Sequence, residues 1–162
     1  MADPTYFTHT RPEMAALVPG EARRLLEIGC SSGGFAASIA RPGRVMWGIE
    51  LDPTAAEQAR SRQVFDRLFN CGFDAALPQL ESSSFDCIIA NDVIEHLTDP
   101  WVAARSIHSL LAPGGQLVMS IPNIRYWEVV RDLWIEGQWE YEDSGIMDRT
   151  HLRFFTISSI RR

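Results

Sequence analysis

Short apolar runs alternate with stretches of helical spacing along most of the chain. This is the pattern of a parallel sheet wrapped by helices. The first run covers 25–28 and is followed by the turn Gly29-Cys30-Ser31-Ser32-Gly33-Gly34, with a helix near 35–40. Residues 45–51 read as a second strand. Asp52 as N-cap, with Pro53 at the first helical position, then opens a helix to about Arg62. A weaker third strand is expected over 64–69 and a fourth over 85–90. Thr98 or Asp99, with Pro100, starts a capped helix to about Leu111, and the turn Pro113-Gly114-Gly115 leads into a fifth strand over 116–121.

Beyond the fifth strand the pattern changes. Residues 123–136 predict an aromatic helix, 137–150 an acidic irregular stretch, 151–155 extended chain, and Thr156 starts a further helix. Trp127 and Trp134 stand seven apart, which predicts a core stripe on the helix. The spacing predicts one doubly wound α/β domain with an added segment between about 122 and 155.

Composition narrows the chemistry. The 162 residues fit one domain, able to bury roughly 70% of its unfolded surface. All 15 basic residues are arginine, so a Schiff-base, pyridoxal-phosphate or Walker lysine is excluded. A net charge of −6 disfavours non-specific binding to nucleic acid or anionic membrane. Cys30, Cys71 and Cys87 lack the spacing of a zinc site or disulfide framework and suit a reducing cytoplasm. No stretch is long and apolar enough for a membrane span, and residues 1–20 carry no signal-peptide core, so a cytoplasmic location is expected.

The turn after the first strand brings backbone close to a ligand and offers free amides from the next helix. Glu50 closes the second strand 21 residues after Gly29, where an acid can take both hydroxyls of a ribose. Together these features indicate nucleoside binding. Gly29, Ser31 and Gly34 imitate the dinucleotide spacing of an NAD enzyme. The other spacing, acid-x-Gly-x-Gly-x-Gly with Ser31 at the middle glycine, fits equally well, and it alone explains Glu27.

Four stretches occur in order at the right separations: 25–35, Gly48-Ile49-Glu50-Leu51-Asp52-Pro53, 84–97 and Leu111-Ala112-Pro113-Gly114-Gly115. As a set they resemble the class I S-adenosylmethionine-dependent methyltransferases over roughly residues 11 to 160. The segments Ile121-Pro122-Asn123-Ile124-Arg125-Tyr126-Trp127 and Asp148-Arg149-Thr150-His151-Leu152-Arg153-Phe154-Phe155-Thr156 look like a bacterial branch. That branch is similar to the methionine-biosynthesis protein MetW and to methyltransferases of polysaccharide clusters. The resemblance implies a Rossmann-like sheet and S-adenosyl-L-methionine as cofactor. It implies methyl transfer to a small-molecule or glycan-like acceptor, on oxygen, or a MetW-like binding role exerted through a partner without independent catalysis.

Carried over by position, Glu27, Gly29, Cys30, Ser31, Ser32 and Gly33 should hold the methionine part, Glu50 the ribose, and Leu51 should flank the adenine. Phe73 or Asp74 should meet the adenine, and Asn91 and Asp92 should lie beside the cofactor sulfur. Asp92, His96 and His151 are the candidates for proton removal. If the segment coils, Asp92, Glu95 and His96 share a face and could present a divalent ion with ligands, as similar sets do in some methyltransferases. Glu-His after this strand is also widespread in metal-free relatives, and no metal is expected. Trp139, Tyr141 and the acids Glu140, Glu142 and Asp143 suggest a lid over a sugar-like or small polar substrate. Arg149, His151 and Arg153 suit either an anionic acceptor or a salt-bridged turn.

The expected organisation is an N-terminal extension with a short helix over 1–20 and a methyltransferase domain over 21–162, with 122–155 as its substrate-side insertion. Family members continue the last helix into two further strands. The sheet is therefore expected to lack its last two strands, and self-association into a homo-oligomer would cover the exposed edge.

Overall fold

A computed structural model describes residues 11–161. Five strands form one sheet in the order β3-β2-β1-β4-β5: β1 Arg24–Ile28, β2 Val45–Glu50, β3 Arg67–Asn70, β4 Phe85–Asn91 and β5 Leu111–Ser120. Every pairing is parallel. The chain first winds outward from β1 through β2 to β3, then returns to the other side of β1 for β4 and β5. The strand order therefore reverses between β1 and β4, and a crevice opens beyond the carboxyl ends of these two strands.

Period-two alternation in the strands fills two apolar layers. Leu26, Ile28, Trp47, Ile49, Ile88 and Ala90 face one layer, closed by Phe73, Ala103, Ile107 and Leu110. Leu25, Met46, Cys87, Ile89 and Val118 face the other, closed by Phe35, Ala36 and Ile39. The helices begin where the capping residues place them. In α3 (Pro53–Ser61) the Asp52 carboxylate accepts Ala55 N–H at 2.7 Å, and in α5 (Pro100–Leu110) Asp99 accepts Val102 N–H at 2.9 Å. The other helices are α1 Pro12–Ala15, α2 Gly34–Ile39, α4 Phe73–Ala76, α6 Trp127–Arg131 and α7 Ile157–Ile160.

Several elements depart from the sequence expectation. Of the proposed N-terminal extension, residues 1–10 lie outside the described residues. Within 11–20, α1 does form, but Met14 and Val18 are buried against Phe35 and Ile39, so this stretch is part of the core. The third strand starts at Arg67 rather than 64. Asp66 accepts Met46 N–H through its side chain and donates its own N–H to Met46 O, both at 2.8 Å, which occupies the start of β2 before the ladder begins. The fifth strand absorbs its glycine turn as an irregularity: Leu111 pairs with Phe85, and pairing resumes only at Gln116 with Cys87.

The aromatic helix starts at Trp127, four residues late, because Asn123 bridges to Phe155 and Ile124 N–H donates to Phe155 O at 2.9 Å. From Asp132 to Glu136 the winding is π-helical. The predicted core stripe does not exist: Trp127 is 59% and Trp134 88% exposed, and no residue of α6 or the π turn is buried. Seven-residue spacing places two side chains on one face, but no neighbouring element packs over that face among the described residues. α7 is short, and Thr156 and Ser159 form a capping box at its start.

Candidate functional site

A cleft of about 900 Å³ opens at the reversal point between β1 and β4. Its floor is the turn after β1, whose geometry is fixed by three backbone contacts. Gly29 N–H and Cys30 N–H both donate to Ile49 O, at 2.8 and 3.0 Å, and Gly33 N–H donates to Cys30 O at 2.9 Å. Gly29 has φ +69°, and a Cβ there would lie 2.7 Å from Val93 Cγ2. Glycine is thus required at this position on two counts. Ser31 also takes a left-handed φ of 48°.

Glu50 at the end of β2 joins the turn, its carboxylate accepting Ser31 N–H and Asp52 N–H at 2.7 Å each. Glu27 points from β1 toward α2 and is 3% exposed, with Oε2 unpartnered. Burial first, and then the negative charge of Glu50, raise its carboxyl to about 8, partly offset by a hydrogen bond from the Ala36 backbone. Burial also raises the Cys30 thiol. The Ser31 hydroxyl and both side-chain atoms of Asn91 are likewise buried without partners.

Of the residues expected to bind a cofactor, Glu27, Gly29, Cys30, Ser31, Glu50, Leu51, Phe73, Asn91 and Asp92 line the cleft. Ser32 and Gly33 do not. Ser32 is buried and its carbonyl accepts from Arg62 Nε at 2.7 Å, while Gly33 opens α2 against Phe65. Asp74 is also outside the lining and exposed, whereas Phe73 lines the cleft and is 5% exposed. Helical winding at 73–76 turns adjacent side chains apart, and only one of the pair can face inward. Sequence reasoning missed Arg11 and Cys71, which also line the cleft. Arg11 carried no motif signal, because its position there depends on long-range folding.

The candidate proton acceptors separate. Asp92, with a left-handed φ of 53°, is bound by the Arg11 guanidinium and by the Ser120 hydroxyl at 2.8 Å. His96 sits on the 3-10 turn Ile94–His96 and lines the cleft. Burial pulls its titration below the ordinary value. His151 is buried outside the lining and meets His96 edge to face, with ring centroids 4.8 Å apart.

Glu95 is 1% exposed and neither carboxylate oxygen has a partner. Burial, with a smaller contribution from Asp92, raises its carboxyl to about 7. Among the described residues, the group able to hold a metal ion is Glu95, His96 and His151, with one ligand atom from each within 4.8 Å of the others. His151 thus stands where the sequence pattern put Asp92, because Asp92 is turned onto Arg11.

The segment after β5 is fastened to this turn. Leu152 and Arg153 N–H groups donate to Glu95 O at 2.8 and 3.1 Å, and an Arg153 guanidinium nitrogen donates to Thr98 O at 2.9 Å. Arg149 pairs with Asp143 at 2.7 Å. Both arginines thus have partners within this segment and the turn it meets. Trp139 packs edge-on against Phe154 at 5.4 Å, and Tyr141 lies 6.1 Å from the same ring. Phe154 in turn lies 6.3 Å from His151.

Comparison with known proteins adds to this geometry. The family description "Methyltransferase domain" matches residues 4–162. A ubiquinone biosynthesis O-methyltransferase of Xanthomonas axonopodis pv. citri (strain 306) is 34% identical over 114 residues, covering 67% of this chain and 46% of that protein. The chain spans about half the length of the curated relatives it matches. Among solved structures, a SAM-dependent methyltransferase from Archaeoglobus fulgidus aligns with a TM-score of 0.71 at 18% identity, over 94% of this chain and 66% of that one. An S-adenosylmethionine-dependent methyltransferase from Mesorhizobium loti aligns with a TM-score of 0.59 at 25% identity, over 71% and 54%. Among the described residues no helix is long and apolar enough to cross a membrane.

Proposed function

The chain belongs to the methyltransferase-domain family, and from that premise we propose that it transfers a methyl group from S-adenosylmethionine to a hydroxyl of a small-molecule or glycan-like acceptor. One observation carries the cofactor reading: the buried polar atoms left without partners along the cleft, which are Glu27 Oε2, Ser31 Oγ and both side-chain atoms of Asn91. Each such atom costs roughly 1–3 kcal/mol while unsatisfied. A cleft that keeps four of them suits a ligand that pairs with them. Their chemistry fits this cofactor. Glu27 and Asn91 accept from an ammonium, Glu50 is an acid at a strand end for sugar hydroxyls, and Phe73 and the 72% exposed Leu51 offer apolar surface to a flat base.

When bound, S-adenosylmethionine supplies an electrophilic methyl group on a sulfonium. The chain's own residues then have to bind, orient and move one proton. His96 is the residue we assign to the proton, which passes from the acceptor hydroxyl to the ring as the oxygen becomes nucleophilic. Its lowered titration keeps the ring neutral and able to accept. Asp92 is assigned to positioning, because Arg11 and Ser120 occupy its carboxylate. His151 supports the His96 ring through an edge-to-face contact. Glu95, raised to about 7, holds its proton up to neutrality and so need not place a bare charge beside the two histidines.

The oxygen assignment is supported by the O-methyltransferase names of the relatives and by a neutral histidine at the cleft. A cytoplasmic location agrees with the three free cysteines. Two measurements test the proposal: calorimetry with S-adenosylhomocysteine, and transfer of labelled methyl to a panel of phenolic and glycan hydroxyls. Tight binding with turnover on one of the hydroxyls is the expected result. Binding with no turnover until cell extract is added would favour a partner-dependent role instead. Binding of NAD in preference to S-adenosylhomocysteine would overturn the cofactor reading.

A further inference from the structure

The assignment of His96 as proton acceptor, on which this inference rests, leaves open which ring nitrogen is free. His96 Nδ1 lies 3.2 Å from the main-chain oxygen of Thr150 and 3.2 Å from Oγ1 of the same residue. A carbonyl oxygen can only accept, so the first contact is a hydrogen bond only with the proton on Nδ1. A hydroxyl can donate or accept, but here its one proton is already committed. Thr150 Oγ1 donates to Asp148 Oδ1 at 2.6 Å, and the same carboxylate oxygen accepts Thr150 N–H at 2.7 Å. Only lone pairs of Oγ1 remain for the ring.

The arrangement is held from both sides. Leu152 and Arg153 are hydrogen-bonded to the carbonyl of Glu95, next to His96, which ties the chain just beyond Thr150 to the turn that carries the ring. His151 has its own Nδ1 3.0 Å from Ile146 O, another acceptor-only partner, and packs edge to face on His96. Burial of Asp148 opposes its ionisation, but the two Thr150 hydrogen bonds together with the neighbouring His151 and His96 hold the carboxyl below its ordinary range. Asp148 therefore stays an acceptor.

We propose that Thr150 is a positioning residue, kept an acceptor by Asp148, that fixes His96 in the Nδ1–H tautomer and leaves Nε2 as the ring's only lone pair. A methyl acceptor's proton then has one destination on the ring. Neither Thr150 nor Asp148 needs to touch acceptor or cofactor for this, and their effect on turnover passes entirely through the imidazole.

The test reads the tautomer directly in the absence of substrate. Long-range proton–nitrogen NMR on nitrogen-15-labelled, EDTA-treated protein, at a pH where the ring is neutral, should show His96 as Nδ1–H in the wild type and in Thr150→Ser. Thr150→Val removes one acceptor, and Asp148→Ala frees the hydroxyl proton to donate to Nδ1. Both should raise the Nε2–H population. Turnover in Thr150→Val should fall about tenfold with little change in KM, part of the roughly 10²–10⁴-fold that a positioned acid or base supplies. Thr150→Ser should retain most of it. Wild-type His96 in the Nε2–H form, or an unchanged tautomer in both Thr150→Val and Asp148→Ala, would overturn the proposal. Failure of the base assignment itself is a separate result, read as unchanged turnover in His96→Gln.

Discussion

The guanidinium of Arg11 sits on the carboxylate of Asp92, 81 positions away in sequence, and reaches the Ser120 hydroxyl at 3.0 Å. Both residues have left-handed backbones, with φ of 43° and 53°. The contact ties the chain just before α1 to the end of β4 and builds one wall of the cleft. Both side chains are 29% exposed, so the pair is worth at most about 1 kcal/mol. Arg11→Ala should therefore lower Tm by about 2–4 °C. It should also weaken S-adenosylhomocysteine binding, because the wall loses its anchor. Differential scanning fluorimetry and calorimetry on the same variant read the two effects, and unchanged values in both would remove Arg11 from the site.

Glu27 predicts a proton linkage. Its carboxyl is raised in the fold from an ordinary 4.5 to about 8. Between these values the unfolded chain has released the proton and the folded chain still holds it. Stability is therefore fully present below the ordinary value and falls as pH rises through about 8. Glu27→Gln should flatten this slope, leaving the smaller one from Glu95, which is raised to about 7. A cationic group arriving beside Glu27 favours the carboxylate, so ligand binding near neutral pH should release up to about one proton. Binding enthalpies measured in buffers of different ionisation heat test this. Buffer-independent enthalpy would mean that Glu27 does not meet the charged end of the ligand.

Gly29→Ala meets two obstacles at once: a φ of +69° and a Cβ 2.7 Å from Val93 Cγ2. Strain at such a φ and overpacking each cost about 1–3 kcal/mol. The variant should unfold earlier in urea and lose affinity for S-adenosylhomocysteine, since the same turn carries the Ser31 amide to Glu50. Adding Val93→Ala should recover part of the stability but not all of it, because the clash is removed and the φ strain is not. Full recovery would show that the turn has no preference for glycine beyond space.

Trp47 and Trp134 show why parts of the fold were legible in the sequence and others were not. Trp47 lies in a short apolar run, where a strand buried on both faces is the arrangement that suits such a run, and it is 5% exposed. The β1 turn, Glu50, and the caps at Asp52 and Asp99 were legible for the same reason. Each depends on a few neighbouring residues and local hydrogen bonds. Trp134 has helical spacing with Trp127, but spacing cannot show whether another element covers the face. The Arg11–Asp92 contact and the meeting of Thr150 with His96 are equally invisible, since both join distant segments. Trp134→Ala should change stability by no more than about 0.5 kcal/mol. Trp47→Ala should cost roughly 3–5 kcal/mol. Chemical denaturation of the two variants separates them, and a large loss at Trp134 would mean that its face is covered in solution.

Trp139 gives the sharpest prediction for the acceptor side. Its ring stands edge-on to Phe154, Phe154 lies near His151, and His151 meets His96 edge to face. A row of rings thus runs from the acidic segment to the residue that lines the cleft. Trp139 is 40% exposed, so it retains free surface while being held in place by Phe154. An aromatic or sugar acceptor resting on that surface would lose contact in Trp139→Ala, while the cleft lining on the β1 and β2 side would be untouched. The expected outcome is a KM for the acceptor raised about tenfold, equivalent to about 1.4 kcal/mol of lost binding, with S-adenosylhomocysteine affinity unchanged. If acceptor KM and turnover both stay at wild-type values, the aromatic segment is not the acceptor surface. If S-adenosylhomocysteine affinity falls instead, the segment supports the cofactor cleft.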